Sequence, residues 1–211
     1  MNARLALIAA VASLGVAGAA NAVVITFEDQ TAGTILSNQY AAQGVTFSPN
    51  AFSGPGTSTS GSPWATNSDM TIVSSTGTDV GGLGAPALVS GNILRSFNGW
   101  LSEDGDPSFV ATFSTPISSF SADFCGVSTG ADVRIFAYNG ATLLGTVAGS
   151  TTGQFTLSFA AASITSVAIS PGSFNDWVGV DNINFTQVPA PGALALLGLA
   201  GLVGSRRRRV A

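Results

Sequence analysis

The side chains able to do chemistry are few, and most of them are acids. Glu28 and Asp29 close the stretch VVITFED, and Asp181 lies in WVGVDNINF near the far end of the body. Hard oxygen donors of this kind, brought together with backbone carbonyls completing the shell, would suit Ca²⁺. The competing account makes them ordinary solvated carboxylates at strand ends, with Asp181-Asn182 serving as a bulge or turn. A second group, Glu103, Asp104 and Asp106, sits within the single stretch LSEDGDPS. Glycoside hydrolysis needs two carboxyl groups about 5–10 Å apart across a cleft, and one acidic turn does not supply that arrangement. A solvated loop is the favoured reading there, with calcium second.

The absences are as informative. The chain has no His, no Lys and a single Cys, Cys125. That excludes Ser-His-Asp and Cys-His catalysis and removes the usual ligands of zinc and other transition metals. A lone thiol in an exported chain is either buried and inert or an exposed crosslinking group. With no separated carboxylate pair, the expectation is a non-enzymatic protein. Tyr40, Trp64 and Trp100 lie in or beside loop-like sequence and are the rings able to stack on a sugar, packing in the core or under a lid being the alternative. Trp177 opens a strand and is expected to pack.

The elements that must position these residues read as strands. Phe109, Ala111 and Phe113 alternate with polar or smaller neighbours, and so do Phe120, Ala122 and Phe124 beyond a Thr115-Pro116 turn, the period-two pattern of half-buried strands. DVRIFAYNG runs into an Asn139-Gly140 turn answered by ATLLGTVAG, a strong hairpin signal. GQFTLSF, SITSVAIS and WVGVDNINF follow at the spacing of a sandwich. In the last, Val178 and Val180 share one parity and Ile183 and Phe185 the other, which predicts a bulge near Asp181-Asn182. VVITFED and GVTFSP supply strands in the first half, and residues 50–69 form a long loop. No helix is expected in the body. The architecture predicted is all-β, an antiparallel two-sheet β-sandwich of jelly-roll type.

The two ends carry addresses. Residues 1–22 combine Arg4, the apolar run Leu5 to Val16 and Ala20-Asn21-Ala22, the parts of a signal peptide, with cleavage predicted between Ala22 and Val23. Residues 23–187 then make one domain by length. That body holds all eleven acids and only Arg95 and Arg134 as basic residues, so nucleic acid is not an expected partner. Residues 188–211 begin with an apolar segment, Val188 to Ser205, that would extend roughly 27 Å as a helix, marginal for a hydrocarbon core of about 30 Å. Arg206, Arg207, Arg208 and Arg209 then act as a membrane stop, because positive charge is retained on the cytoplasmic side, and the body faces outward.

A short motif, an apolar helix and a terminal Arg cluster in that order resemble the PEP-CTERM family of exosortase substrates. Pro189-Ala190-Pro191, Gly192-Ala193-Leu194 and the run to Arg206 are the matching residues, with Ala190 where the family's usual motif has Glu. The resemblance implies an exosortase-like processing enzyme as partner, a transient membrane anchor, and a final place at the cell surface or in an extracellular polysaccharide or biofilm matrix. The body's first and last strands resemble those of jelly-roll, carbohydrate-module-like domains, which implies a carbohydrate-binding module as the alternative function.

Overall fold

The computed structural model describes residues 20–49, 70–76, 88–95, 109–127, 130–170 and 178–188. The remainder of the signal segment, the 50–69 loop with Trp64, the acidic turn at 103–106, Trp100, Trp177 and the tail from Pro189 through Arg209 lie outside the described residues. Within them, the compact body runs from Asn21 to Val188.

Among the described residues this body has nine strands: β1 (Asn21–Ile25), β2 (Val45–Pro49), β3 (Thr71–Ser74), β4 (Asn92–Arg95), β5 (Phe109–Val127), β6 (Arg134–Asn139), β7 (Thr142–Ala148), β8 (Gly153–Ser170) and β9 (Gly179–Gln187). Short 3-10 turns at Ala41–Gln43 and Gly130–Asp132 are the sole helical elements among the described residues. No helix there is long and apolar enough to cross a membrane.

The all-β expectation is met, but hydrogen bonding gives one antiparallel sheet where two were predicted. Its order is β3-β4-β9-β5-β8-β6-β7, with β1 added to β9 and β2 to β5. The reason lies in two very long strands. The Thr115-Pro116 step was expected to separate two neighbouring strands, yet β5 runs for 19 residues straight through it. GQFTLSF and SITSVAIS likewise fuse into the 18-residue β8. Where these strands pass each other the register shifts between Thr112 and Ile117 and again before Ser119. Pro116 has no N–H for the ladder, and Ser163 adopts a left-handed φ of 62°, so the turn signals mark a kink inside a strand pair rather than a strand end.

On either side of this kink β5 changes partner. Its first part pairs with β2 and its second with β9, while β8 stays alongside throughout. One hydrophobic cluster draws residues from both parts, including Phe47, Phe109, Phe120, Phe124, Ile135, Val167 and Phe185. Phe113 bridges them, 5.0 Å from the ring of Phe185 and 6.3 Å from that of Phe120. Each such buried side chain contributes about 1.5–3 kcal/mol from transfer alone.

The smaller expectations fare well. The β6–β7 hairpin closes with Asn139 opposite Thr142, and Gly140 supplies the positive φ of 56° its tight turn demands. The parity switch in the last strand is a bulge: Ser121 faces Asn184 but Asp123 faces Asp181, so β9 carries one extra residue, and Asn182 takes a φ of 47°. Val178, Val180, Ile183 and Phe185 are consequently all buried, on both sides of the switch. β1 and β9 are neighbours, as anticipated for first and last strands.

Candidate functional site

The bulge organises an acidic corner. Asp181 is 2% exposed, and its carboxylate accepts hydrogen bonds from the backbone N–H of Asn182 at 2.7 Å and of Ser90 at 3.4 Å. Burial pushes its carboxyl up to about 6; the two backbone donors oppose that shift, and the nearby charges of Glu28 and Asp123 add to it. Glu28 accepts from the backbone N–H of Asn92 at 3.0 Å. Gly91, at a φ of 64°, passes so close to that carboxylate that a Cβ would collide with it. Asn182 donates from Nδ2 to the carbonyl of Leu88 at 2.8 Å and to Asp123 at 2.9 Å. Together these bonds clasp the Leu88–Asn92 segment against β9 and the turn after β1.

The predicted trio of Glu28, Asp29 and Asp181 is therefore arranged differently from the calcium expectation. Asp29 turns away, accepting a 2.5 Å hydrogen bond from the Tyr40 hydroxyl. Asp123, which the sequence offered only as a polar-parity strand residue and not as a ligand candidate, takes its place opposite Asp181. No group of three or more His, Cys, Asp or Glu poised to hold a metal occurs among the described residues.

Tyr40 also needs correcting as a sugar-stacking candidate. It is 3% exposed, with its ring edge-on to Phe27 at 5.8 Å and to Phe47 at 6.4 Å. No ligand ring can reach either face. Polar sequence around it, Ser37-Asn38-Gln39, made it look like a loop residue, but the turn folds back and uses the ring as a plug. Its hydroxyl is held well above the usual phenol range by burial first and by Asp29 second. Cys125 takes the buried alternative: it is 0% exposed, and burial raises its thiol to about 11.

A concave surface lies elsewhere, on the face of β1, β9, β5 and β8 turned away from the core. Cross-strand partners share a face, so the register defines its rows. One row runs Ala22, Thr186, Ser119, Ala160, and the next Val24, Asn184, Ser121, Ser158. They line most of a depression of about 440 Å³. Beyond the second row Asp123 accepts from Thr156 Oγ1 at 2.5 Å and from Asn182, closing that end together with Leu88, whose N–H donates to Gln154 at 3.0 Å. The end wall is thus bonded within itself. The side chains of Ser119, Ser121, Ser158, Asn184 and Thr186 make no hydrogen bond to other described residues, and the two rows contain no charged side chain.

These floor residues escaped the sequence reading because each occupies the unremarkable polar parity of its strand. The usable signal was the recurrence of small hydroxyl side chains at alternate positions, Ser119 and Ser121 in one segment and Thr156 and Ser158 in another; only pairing reveals that they adjoin.

No protein-family model matches the chain, and no curated protein matches it. Among solved structures it is similar to a cleaved adhesin domain of Lys-gingipain, at 14% identity and a TM-score of 0.45, covering 79% of this chain and 100% of that one. A second cleaved adhesin domain of Lys-gingipain, from Porphyromonas gingivalis, aligns at 15% identity and a TM-score of 0.35 over 79% of this chain and 99% of its own. A mutant family 29 carbohydrate-binding module aligns at 12% identity and a TM-score of 0.32, covering 80% and 92%.

Proposed function

We propose that this chain is an exported, non-enzymatic protein of the cell surface or extracellular matrix, delivered by a signal peptide and a PEP-CTERM-like tail. The observation that carries the non-enzymatic part is how the described carboxylates are used. Glu28 and Asp181 hold backbone N–H groups of the Leu88–Asn92 segment and the bulge, Asp29 holds Tyr40, and Asp123 holds Thr156 and Asn182. Each of these four is engaged in fastening the fold. The address rests on the order of motif, apolar run and Arg206 to Arg209.

Intact-mass and terminal-peptide mass spectrometry of the protein from membrane and extracellular fractions of its host tests the reading. The expected chain begins at Val23 and ends between Pro189 and Gly192. A chain that keeps Arg206 to Arg209 and stays in the membrane makes the tail a simple anchor and overturns the sorting account.

A second reading, a carbohydrate-binding module for extracellular polysaccharide, is favoured by the uncharged hydroxyl and amide floor of the β1-β9-β5-β8 depression. Retention of the protein on its host's own polysaccharide is the expected result, and a failure to bind any fraction of that matrix removes this reading.

A further inference from the structure

We infer that the outward face of β1, β9, β5 and β8 is a binding trough for an uncharged polyhydroxylated polymer, a neutral polysaccharide, and that it discriminates against anionic ones. The inference deepens the carbohydrate-binding reading and rests on it.

Three observations favour this occupant. First, five polar side chains on adjoining strands, Ser119 and Ser121, Thr186 and Asn184, and Ser158, face the same depression with their hydrogen-bonding capacity unspent on other described residues. Hydroxyls and carboxamides both donate and accept, which matches the mixed character of sugar hydroxyls. Secondly, the electrostatics exclude a charged polymer. Acidic polysaccharides are held by Arg or Lys, and the body has only two such residues. Arg95 is 8% exposed on β4, and Arg134 sits on β6 with its Nε donating to the carbonyl of Ala131 at 2.8 Å. Neither lines the trough. Asp123 stands at its closed end and repels anions. Thirdly, neighbouring strands of the floor are spaced roughly 4.8 Å apart, so an extended chain lying across β9, β5 and β8 along the second row meets Asn184, Ser121 and Ser158 in turn.

The trough offers chiefly hydrogen bonds, because of the two rings that line it Phe120 is buried and Phe159 packs against the core, so single-site affinity is expected to be weak, with Kd about 0.1–1 mM for an oligosaccharide. Retention on a polymer then depends on many contacts along one chain.

Affinity electrophoresis of the full chain in mild detergent, through gels holding a neutral β-glucan, a neutral α-glucan or a polyuronate, tests this. Retardation by at least one neutral polymer and by no polyuronate is expected. Asn184→Ala and Ser121→Ala, both on surface side chains, should each weaken retardation about threefold to tenfold, the range of one lost hydrogen bond. Ser158→Arg should abolish it while leaving the thermal midpoint within a few degrees. Thr146→Ala, on the exposed β7, should change nothing. Retardation by a neutral polymer that all three trough variants retain overturns the trough and leaves carbohydrate binding standing at another surface. Stronger retardation by the polyuronate overturns the discrimination. Absence of retardation by every polymer overturns the carbohydrate-binding reading itself, and this inference with it.

Discussion

At the scale of single residues, Tyr40, Cys125 and Asp181 answer to burial before anything else. Tyr40 illustrates it: the ring fills the core while the hydroxyl crosses to Asp29 at the surface. Tyr40→Phe should cost about 1.5–3 kcal/mol in urea unfolding, the value of a hydrogen bond to a charged acceptor, with the fold kept. Cys125 should resist a thiol reagent in the native protein at pH 8 and titrate fully once unfolded, since a thiol raised to about 11 carries little thiolate and no access path. Asp181 sets a pH dependence. Its folded-state value of about 6 exceeds the ordinary 3.8, so the folded protein binds the proton more tightly than the unfolded chain does. The group's contribution to stability is therefore full below about pH 4 and lost as pH rises through 6. Asp181→Asn should flatten the stability profile between pH 4 and 7, which denaturation midpoints at stepped pH will show.

At the scale of elements, the bulge in β9 does two jobs with one residue. It moves the buried parity from Val180 to Ile183, and it turns Asn182 outward to join Asp123 with Leu88. Asn182→Gly and Asn182→Ala both lose those bonds, but only alanine is strained by the left-handed φ at this position, so it should be less stable than the glycine variant by about 1 kcal/mol. Amide exchange at Leu88 to Asn92 should quicken in both. This bulge was legible in the sequence because parity is a local property. The union of the halves of β5 was not, because Thr115-Pro116 carries the same local signal whether the chain turns or merely kinks. What decides is β8 continuing alongside, a contact roughly fifty residues away that no window contains. The trough was hidden for the same reason, since its rows are assembled by register, and Tyr40 was misjudged because polar neighbours say nothing about what folds over them.

At the scale of the whole molecule, β1 and β9 bring the ends of the body together, Asn21 opposite Gln187. Signal cleavage after Ala22 would trim β1 by two residues, remove one margin of the trough and leave Val23 to Ile25 paired with Phe185 to Ile183. A chain starting at Val23 should melt a few degrees below one starting at Asn21, consistent with the loss of two edge pairs worth about 1 kcal/mol.

The position of β9 has a mechanical consequence. It leads directly into the tail, yet it is an inner strand, flanked along its length by β5 on one side and by β4 and β1 on the other. If the chain is held at the C-terminal end of β9 and a polymer grips the trough, tension between them runs along β9 and loads both ladders in shear. Their bonds lie across the pull and must rupture together. The same load applied through the edge strand β7 would peel its ladder one bond at a time. Single-molecule pulling from Val188 against β8 should accordingly need a markedly larger force than pulling from Thr142.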